Sequence, residues 1–176
     1  MSKTAAAVLV FVALTLLSIP MSAQLLPDGN VYVGYSYGQL TNVTNTQSYS
    51  RGFNASVEMF PFSRVQHIGF VLDGSGFYRK GVGGFGVTQY NAFIGPRFST
   101  NYGKWRPFAH AMAGIKHVDS SGNEYNPLTL DFGGGADYKL PFHGFSWRVQ
   151  GDYMHSRYLG ATQNDYRAST GIVWRF

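Results

Sequence analysis

The chain contains no cysteine. That absence excludes disulfide bonds, thiolate metal sites and a lipid anchor attached to cysteine. Charged residues make up only 13% of the sequence, and beyond the N-terminal region no segment approaches the roughly 20 apolar residues of a transmembrane helix. No stretch repeats its apolar residues with the 3.6-residue period of an amphipathic helix. Hydropathy alone would therefore suggest a soluble, secreted protein.

The first residues predict a secretory signal peptide. Lys3 precedes an uncharged apolar run over residues 5–17, and small residues follow that run. This order matches the charged, apolar and cleavage regions of such peptides, and the run is too short to cross a bilayer. We expect cleavage after Ala23, so that residues 1–23 are the signal peptide and residues 24–176 form one domain.

The last eleven residues alternate between two kinds of side chain, with the period of a β-strand. One face is apolar or aromatic, and the other is mostly small or charged. The first face holds Tyr166, Ala168, Thr170, Ile172, Trp174 and Phe176, and the second holds Arg167, Ser169, Gly171, Val173 and Arg175. An aromatic-rich strand at an open sheet edge invites aggregation, whereas a strand that closes a barrel is paired on both sides. The pattern therefore predicts the closing strand of a membrane barrel.

Seven earlier segments alternate in the same way. They cover residues 30–39, 52–60, 68–78, 87–98, 106–116, 128–140 and 147–154. For the fifth segment, the expected outward set is alanine-rich and His110 points inward. A chain of this length allows about eight membrane strands at about 9–11 residues each. We therefore predict an all-β fold, an eight-stranded antiparallel up-and-down transmembrane β-barrel.

The connections and aromatic residues predict an orientation. Long connections (41–50, 80–86, 117–127 and 159–165) alternate with short turns (61–66, 99–104 and 141–145). Outer-membrane barrels have long loops outside and short turns in the periplasm, with aromatic girdles at both interfaces. The expected girdle beside the short turns contains Trp105, Trp147 and Trp174, and the opposite one contains Tyr37, Tyr49, Tyr78, Tyr158 and Tyr166. Both termini are expected in the periplasm.

Charged residues inside the predicted strands fall on the face opposite the apolar side chains. The predicted charge network of the lumen consists of Glu58, Asp73, Arg97, Asp131, Asp137, Lys139, Arg148, Asp152 and Arg167, with Arg175 on the same face. The interior of an eight-stranded barrel is just wide enough for side chains to fill it, so these charges must pair. A soluble lipocalin-like barrel would instead place its apolar face inside.

Several segments resemble the small eight-stranded outer-membrane β-barrel family, which includes OmpA-like membrane domains. They are Gly95-Pro96-Arg97-Phe98, Arg106-Pro107-Phe108, the run 132–137, Gly151-Asp152-Tyr153 and the run 169–176. The last of these is similar to the C-terminal β-signal of such barrels, with Ile172, Trp174 and Phe176 at its lipid-facing positions. The resemblance implies an integral protein of the bacterial outer membrane that meets the barrel-assembly machinery during biogenesis. We expect it to be a monomer.

Basic residues lie near the predicted long loops. They are Arg51, Arg79, Lys80, Lys116 and Arg157. Two interpretations stay open at this point. The residues either contact phosphates of lipopolysaccharide in the surrounding outer-membrane lipid, or they are simply solvated. Nothing in their arrangement indicates nucleic-acid binding.

No catalytic, cofactor-binding or metal site is predicted. Gly81, Gly83 and Gly86 spell a G-x-G-x-x-G motif, but a strand follows it rather than the helix that a nucleotide needs. Histidines 67, 110, 117, 143 and 155 are scattered without metal-ligand spacing. His155 and Ser156 are the only pair that suggests the histidine-activated serine of an acyl hydrolase or transferase. They are adjacent, however, so in a strand they point to opposite faces.

These observations favour a structural or adhesive outer-membrane barrel whose extracellular loops interact with other molecules. The alternatives are an enzyme that hydrolyses or transfers acyl chains of lipid A, and a narrow pore.

Overall fold

The structure, a computed structural model, describes residues 28–41, 47–61, 67–80, 86–120, 123–158 and 161–176. Among these residues, none belongs to a helix that could span a membrane. They form nine β-strands: β1 (Gly29–Thr41), β2 (Gln47–Met59), β3 (Ile68–Lys80), β4 (Gly86–Ser99), β5 (Trp105–Ser120), β6 (Asn123–Tyr125), β7 (Leu128–Lys139), β8 (Phe145–Tyr158) and β9 (Ala161–Arg175).

Eight of these strands close into an antiparallel barrel. Neighbouring strands pair in chain order, and β1 pairs with β9 to complete the ring. The exception is β6, which has three residues and pairs with the end of β5, so that β7 is the next member of the barrel wall. The prediction of an eight-stranded up-and-down barrel is confirmed, and its closure leaves no long sheet edge unpaired.

Some predictions fall outside the described residues. They include the signal peptide at 1–23 with its cleavage site, most of the turn at 61–66, and Gly81 and Gly83 of the glycine motif.

Side chains alternate between the two faces of the barrel wall, as the period of a strand requires. Val33, Leu72 and Ile94 point outward and are 60%, 58% and 61% exposed, whereas Arg97 and Arg148 point inward and are each 1% exposed. Burying charge while exposing large apolar side chains is the reverse of a soluble protein. The barrel therefore spans a membrane. The predicted faces of β5 are correct too, because its outward alanines are exposed and its inward His110 is buried.

Aromatic residues mark the two ends of the apolar band. We call the end that carries Gly29 and Phe176 the lower end, and the opposite end, at Thr41 and Gln47, the upper end. The exposed residues Trp105, Trp147 and Trp174 lie toward the lower end, and Tyr37, Tyr49, Tyr78 and Tyr166 lie toward the upper end. This is the arrangement that two membrane interfaces require. The side chain of Tyr158 lies outside the described residues.

The upper connections are shorter than the sequence predicted. β1 and β2 run together to Thr41 and Gln47, β5 continues to Ser120, and β9 begins at Ala161. These segments contain mostly polar residues, so the alternation used to find strands is weak in them. Strands of 13 to 16 residues exceed the about 9–11 that a tilted membrane strand needs. The surplus extends the barrel wall at its upper end.

Candidate functional site

The interior near the lower end is built around two arginines, Arg97 and Arg148. Arg148 donates to both carboxylate oxygens of Asp137, from Nε at 2.6 Å and from Nη2 at 3.0 Å. Arg97 donates to Glu58 at 3.3 Å, and Arg148 Nη2 lies 4.0 Å from the same carboxylate oxygen. Both guanidinium groups lie over the ring of Phe108, at 4.5 and 4.7 Å from its centre. These contacts pair the charges and fill the bore at this level.

The middle of the interior is organised by Arg167. Its guanidinium reaches three carboxylates, at 2.6 Å to Asp152, 2.8 Å to Asp73 and 3.4 Å to Asp131. The four side chains are fully buried. Asn54 also donates to Asp73, at 3.0 Å. A single cation therefore holds strands β3, β7, β8 and β9 to one point inside the barrel.

Toward the upper end, Lys116 and Asp165 form a fully buried ion pair with 2.7 Å between Nζ and Oδ2. The Lys116 amine also lies 3.4 Å from Oε1 of Gln163. The sequence predicted Lys116 on the basic rim and Asp165 in a loop, and both predictions are wrong, because both residues are buried on barrel strands. The reason is the strand extension, because both residues lie on inward positions of strands that continue beyond their predicted ends.

Apolar side chains occupy further space inside the bore. They are Leu40, Val71, Phe77, Phe93, Met112 and Met154, and all are buried in one cluster. The interior therefore combines ion pairs with close apolar packing.

Eight of the nine residues of the predicted lumen network lie buried inside the barrel. Lys139 is the exception, because it is exposed at the lower end. It is the last residue of β7, and its long side chain can reach water there. Arg175 is 27% exposed and bonds to Asp137, with 2.8 Å between Nη2 and Oδ2. Among the described residues, Arg175 therefore joins the charge network of the lumen through the Asp137 carboxylate, whereas Lys139 lies outside that network.

A cluster of metal-ligating side chains lies beside Arg167. Ligand atoms of His110, Asp131 and Asp152 all come within 4.8 Å of one another. In the register, His110 is opposite Gly133 and Gly133 is opposite Asp152, so a residue without a side chain separates the two. The imidazole Nε2 and the carboxylate Oδ1 of Asp152 approach to 3.0 Å across it. Sequence spacing did not reveal this cluster because its members come from three strands.

His155 and Ser156 do not form a catalytic pair. Ser156 is buried in the interior, while His155 lies on the outer face, where its Nδ1 is 2.9 Å from Oδ1 of Asn164. The barrel wall separates the two side chains, as the strand period predicts.

Two basic residues of the predicted rim are exposed near the upper end, Arg51 and Arg157. In the register, Arg51 lies opposite Tyr37 on one side and Tyr78 on the other. The side chains of Arg79 and Lys80 lie outside the described residues. Arg51 is therefore flanked by the aromatic belt, where lipid headgroups meet the barrel surface.

Solved structures share this fold at low sequence identity. The crystal structure of Neisserial surface protein A matches with a TM-score of 0.69 and 10% identity, over 84% of this chain and 97% of that chain. Ail, the attachment invasion locus protein of Yersinia pestis, matches with a TM-score of 0.56 and 17% identity, over 86% and 100%. The N-terminal β-barrel domain of Pseudomonas aeruginosa OprF matches with a TM-score of 0.52 and 14% identity, over 84% and 97%.

No protein-family model and no curated protein sequence matches the chain. The resemblance in the C-terminal segments is thus confirmed at the level of the fold. The chain has the fold of the small eight-stranded outer-membrane β-barrels.

Proposed function

We propose that this chain is a structural or adhesive protein of the bacterial outer membrane. In this proposal the membrane-spanning barrel is a sealed anchor, and the extended strand ends and loops at the upper end face the outside of the cell. The chain is monomeric, with lipopolysaccharide and other outer-membrane lipid around it.

The observation that carries the proposal is the filled interior. Ion pairs at three levels, centred on Arg148, Arg167 and Lys116, join inward side chains of different strands. The charged groups at each level are buried rather than lining a wet channel. A bore of this kind stabilises a barrel but opposes steady passage of ions, which argues against the narrow pore.

Features at the upper end of the barrel favour an adhesive role over a purely structural one. Here the strands run past the tyrosine belt, and Arg51 and Arg157 are exposed. One of the structures similar to this chain is Ail in complex with the heparin analogue sucrose octasulfate. By analogy, we propose that the upper end of this barrel binds sulfated glycans through its exposed arginines.

Planar-bilayer recording tests the sealed anchor. The folded protein is inserted into lipid bilayers, and current is measured in concentrated salt across a range of voltages. We expect no long-lived open level. A steady conductance in most insertions would contradict the proposal and favour the pore.

Calorimetry with sucrose octasulfate tests the adhesive role. We expect the folded barrel in detergent to bind this probe, and the double variant Arg51→Gln, Arg157→Gln to bind it at least tenfold more weakly, which is about 1.4 kcal/mol. Lys104→Gln is the matched control, because Lys104 is exposed in the β4–β5 turn at the lower end. Equal binding by wild type and the double variant would refute the assignment of this surface.

An acyl hydrolase or transferase is the rival class. The separation of His155 from Ser156 removes the pair that suggested it. Incubation of the folded protein with lipid A, followed by mass spectrometry, is the direct test. Loss or gain of an acyl chain would replace the adhesive proposal with an enzymatic one.

A further inference from the structure

Three buried side chains in the middle of the barrel have the composition of a metal site. His110 projects inward from β5, Asp131 from β7 and Asp152 from β8, and their ligand atoms lie within 4.8 Å of one another. An imidazole with two carboxylates is a donor set that suits zinc and related divalent transition metals. Protein ligands on separate strands of a closed barrel are also held rigidly, as a preformed site requires.

The hydrogen bonds of this cluster are incomplete. Nδ1 of His110 has no hydrogen-bond partner, although the side chain is fully buried, while Nε2 lies 3.0 Å from Oδ1 of Asp152. Asp131 Oδ1 is also buried without a hydrogen bond, while the second oxygens of Asp131 and Asp152 contact Arg167. Buried polar atoms without partners are costly, so these two atoms need an explanation, and a bound ion is one that fits a neighbouring imidazole and two carboxylates.

The charges beside the cluster are also unequal. Asp73, Asp131 and Asp152 share Arg167 as their arginine partner among the described ion pairs. Three carboxylates and one guanidinium give this level an excess of acidic groups over basic ones. Because uncompensated charge is expensive in a buried setting, this level of the barrel favours an additional cation. A divalent ion supplies the missing charge in a single group.

Gly133 leaves room for that ion between two of the ligands. It occupies the inward position between His110 and Asp152 in the register. A methyl group at Gly133 would clash with the Asp152 carboxylate and would lie 2.6 Å from Nε2 of His110. The missing side chain therefore keeps the imidazole and the carboxylate open to a common ligand.

We propose that His110, Asp131 and Asp152 bind one divalent transition-metal ion, with Zn²⁺ as the best-matched member, inside the barrel. The three side chains provide one nitrogen and two oxygen donors, and Arg167 orients the two carboxylates through their other oxygens. Such outer contacts normally hold metal ligands in place. The ion stabilises the folded barrel by linking β5, β7 and β8, in addition to the surface function proposed above. Because the site is buried, the metal enters as the barrel folds.

Metal analysis of the refolded protein tests this proposal. The full mature chain is folded from urea into detergent with either ZnCl₂ or EDTA, desalted, and assayed for zinc by mass spectrometry. We expect a stoichiometric amount of zinc in the wild type folded with ZnCl₂, and a higher thermal midpoint than in the protein folded with EDTA. Folding with Co²⁺ should give a visible absorption band of a nitrogen- and oxygen-ligated ion.

Variants locate the ion. His110→Gln and Asp131→Asn should reduce bound zinc to background. His155→Gln is the control, because His155 lies on the outer face, and it should retain the wild-type amount. Heat-dependent gel mobility establishes that each sample is folded, and the Co²⁺ spectrum of the wild type gives a readout that needs no variant.

Two outcomes would overturn the proposal. One is a folded wild type that holds no more zinc than His110→Gln and gives no Co²⁺ band. The other is full retention of zinc in both His110→Gln and Asp131→Asn, which would place the ion elsewhere.

Discussion

Arg148 and Asp137 face each other directly across β8 and β7 and are joined by two hydrogen bonds, of 2.6 and 3.0 Å. Arg175 donates to the same carboxylate at 2.8 Å. Asp137 therefore compensates two guanidinium groups. Replacing Asp137 with Asn should lower the free energy of unfolding by about 3–5 kcal/mol, because it leaves buried positive charge uncompensated. Urea titration of the folded barrel, followed by tryptophan fluorescence, measures the change.

Asp119→Asn is the matched control for this change. Asp119 is also on a barrel strand, but it is exposed at the upper end of β5. The same loss of one negative charge should alter stability there by less than about 0.5 kcal/mol. If both variants lost the same stability, the ion pairs of the interior would not be the groups that hold the strands together.

The sequence allowed the fold and most interior charges to be predicted, because both depend on a local pattern. A period of two assigns each residue to lipid or lumen, and a charge such as Arg167 is then placed inside whatever the exact register. Lys139 is exposed although the period assigns it to the lumen, since the period does not say how far along the barrel axis a residue lies. At a strand end, a side chain of lumen parity can still reach water.

The contacts between strands could not be predicted. Lys116 and Asp165 are far apart in the chain, and nothing in the alternation of either strand shows that their side chains meet. His110 and Asp152 meet only because the register places Gly133 between them. Alternation within one strand contains no information about its register with the next.

The lipid-facing surface gives a prediction that depends on depth. Leu72 is 58% exposed and lies between the lower end of β3 and its upper tyrosine, Tyr78, while Ile68 is the first residue of the strand. Leu72→Arg should cost about 2–4 kcal/mol because it places a charge in the hydrocarbon, and Ile68→Arg should cost only about 0–1 kcal/mol near the interface. Folding into lipid vesicles with urea titration gives both values. A larger cost at Ile68 would mean that the bilayer lies elsewhere along the barrel.

The buried pair of Lys116 and Asp165 predicts a non-additive double mutant. Lys116→Met leaves the Asp165 carboxylate without its lysine and should destabilise the barrel by about 3–5 kcal/mol, whereas Lys116→Met with Asp165→Leu should recover most of that loss. Unfolding in urea of the two single variants and the double variant measures the coupling. Equal and additive losses would show that the two charges do not interact energetically, despite the 2.7 Å between them.

The aromatic residues at the end of β9 are expected to direct assembly as well as to pack. Trp174 and Phe176 are exposed on the outer face near the lower end, with 5.5 Å between their ring centres. Phe176 also exchanges two backbone hydrogen bonds with Gly29, each 3.2 Å long, which join the first and last strands. The side chains are not needed for those bonds. Replacing both rings with alanine should therefore lower outer-membrane abundance several-fold, through loss of recognition by the assembly machinery, while the purified variant still refolds in detergent.

Phe142→Ala provides the control, because Phe142 is an exposed aromatic residue in the turn between β7 and β8 at the same end of the barrel. Immunoblots of separated membranes measure abundance, and heat-dependent gel mobility measures refolding. If Ile172, Trp174 and Phe176 form a recognition signal, the double variant Trp174→Ala, Phe176→Ala should be much less abundant in the outer membrane than Phe142→Ala. In detergent, the two variants should refold to the same extent. Two results would contradict this prediction: equal abundance of the two variants in the outer membrane, or failure of the double variant to refold in detergent. Either result would mean that the two rings serve packing alone and that the assembly signal lies elsewhere in the chain.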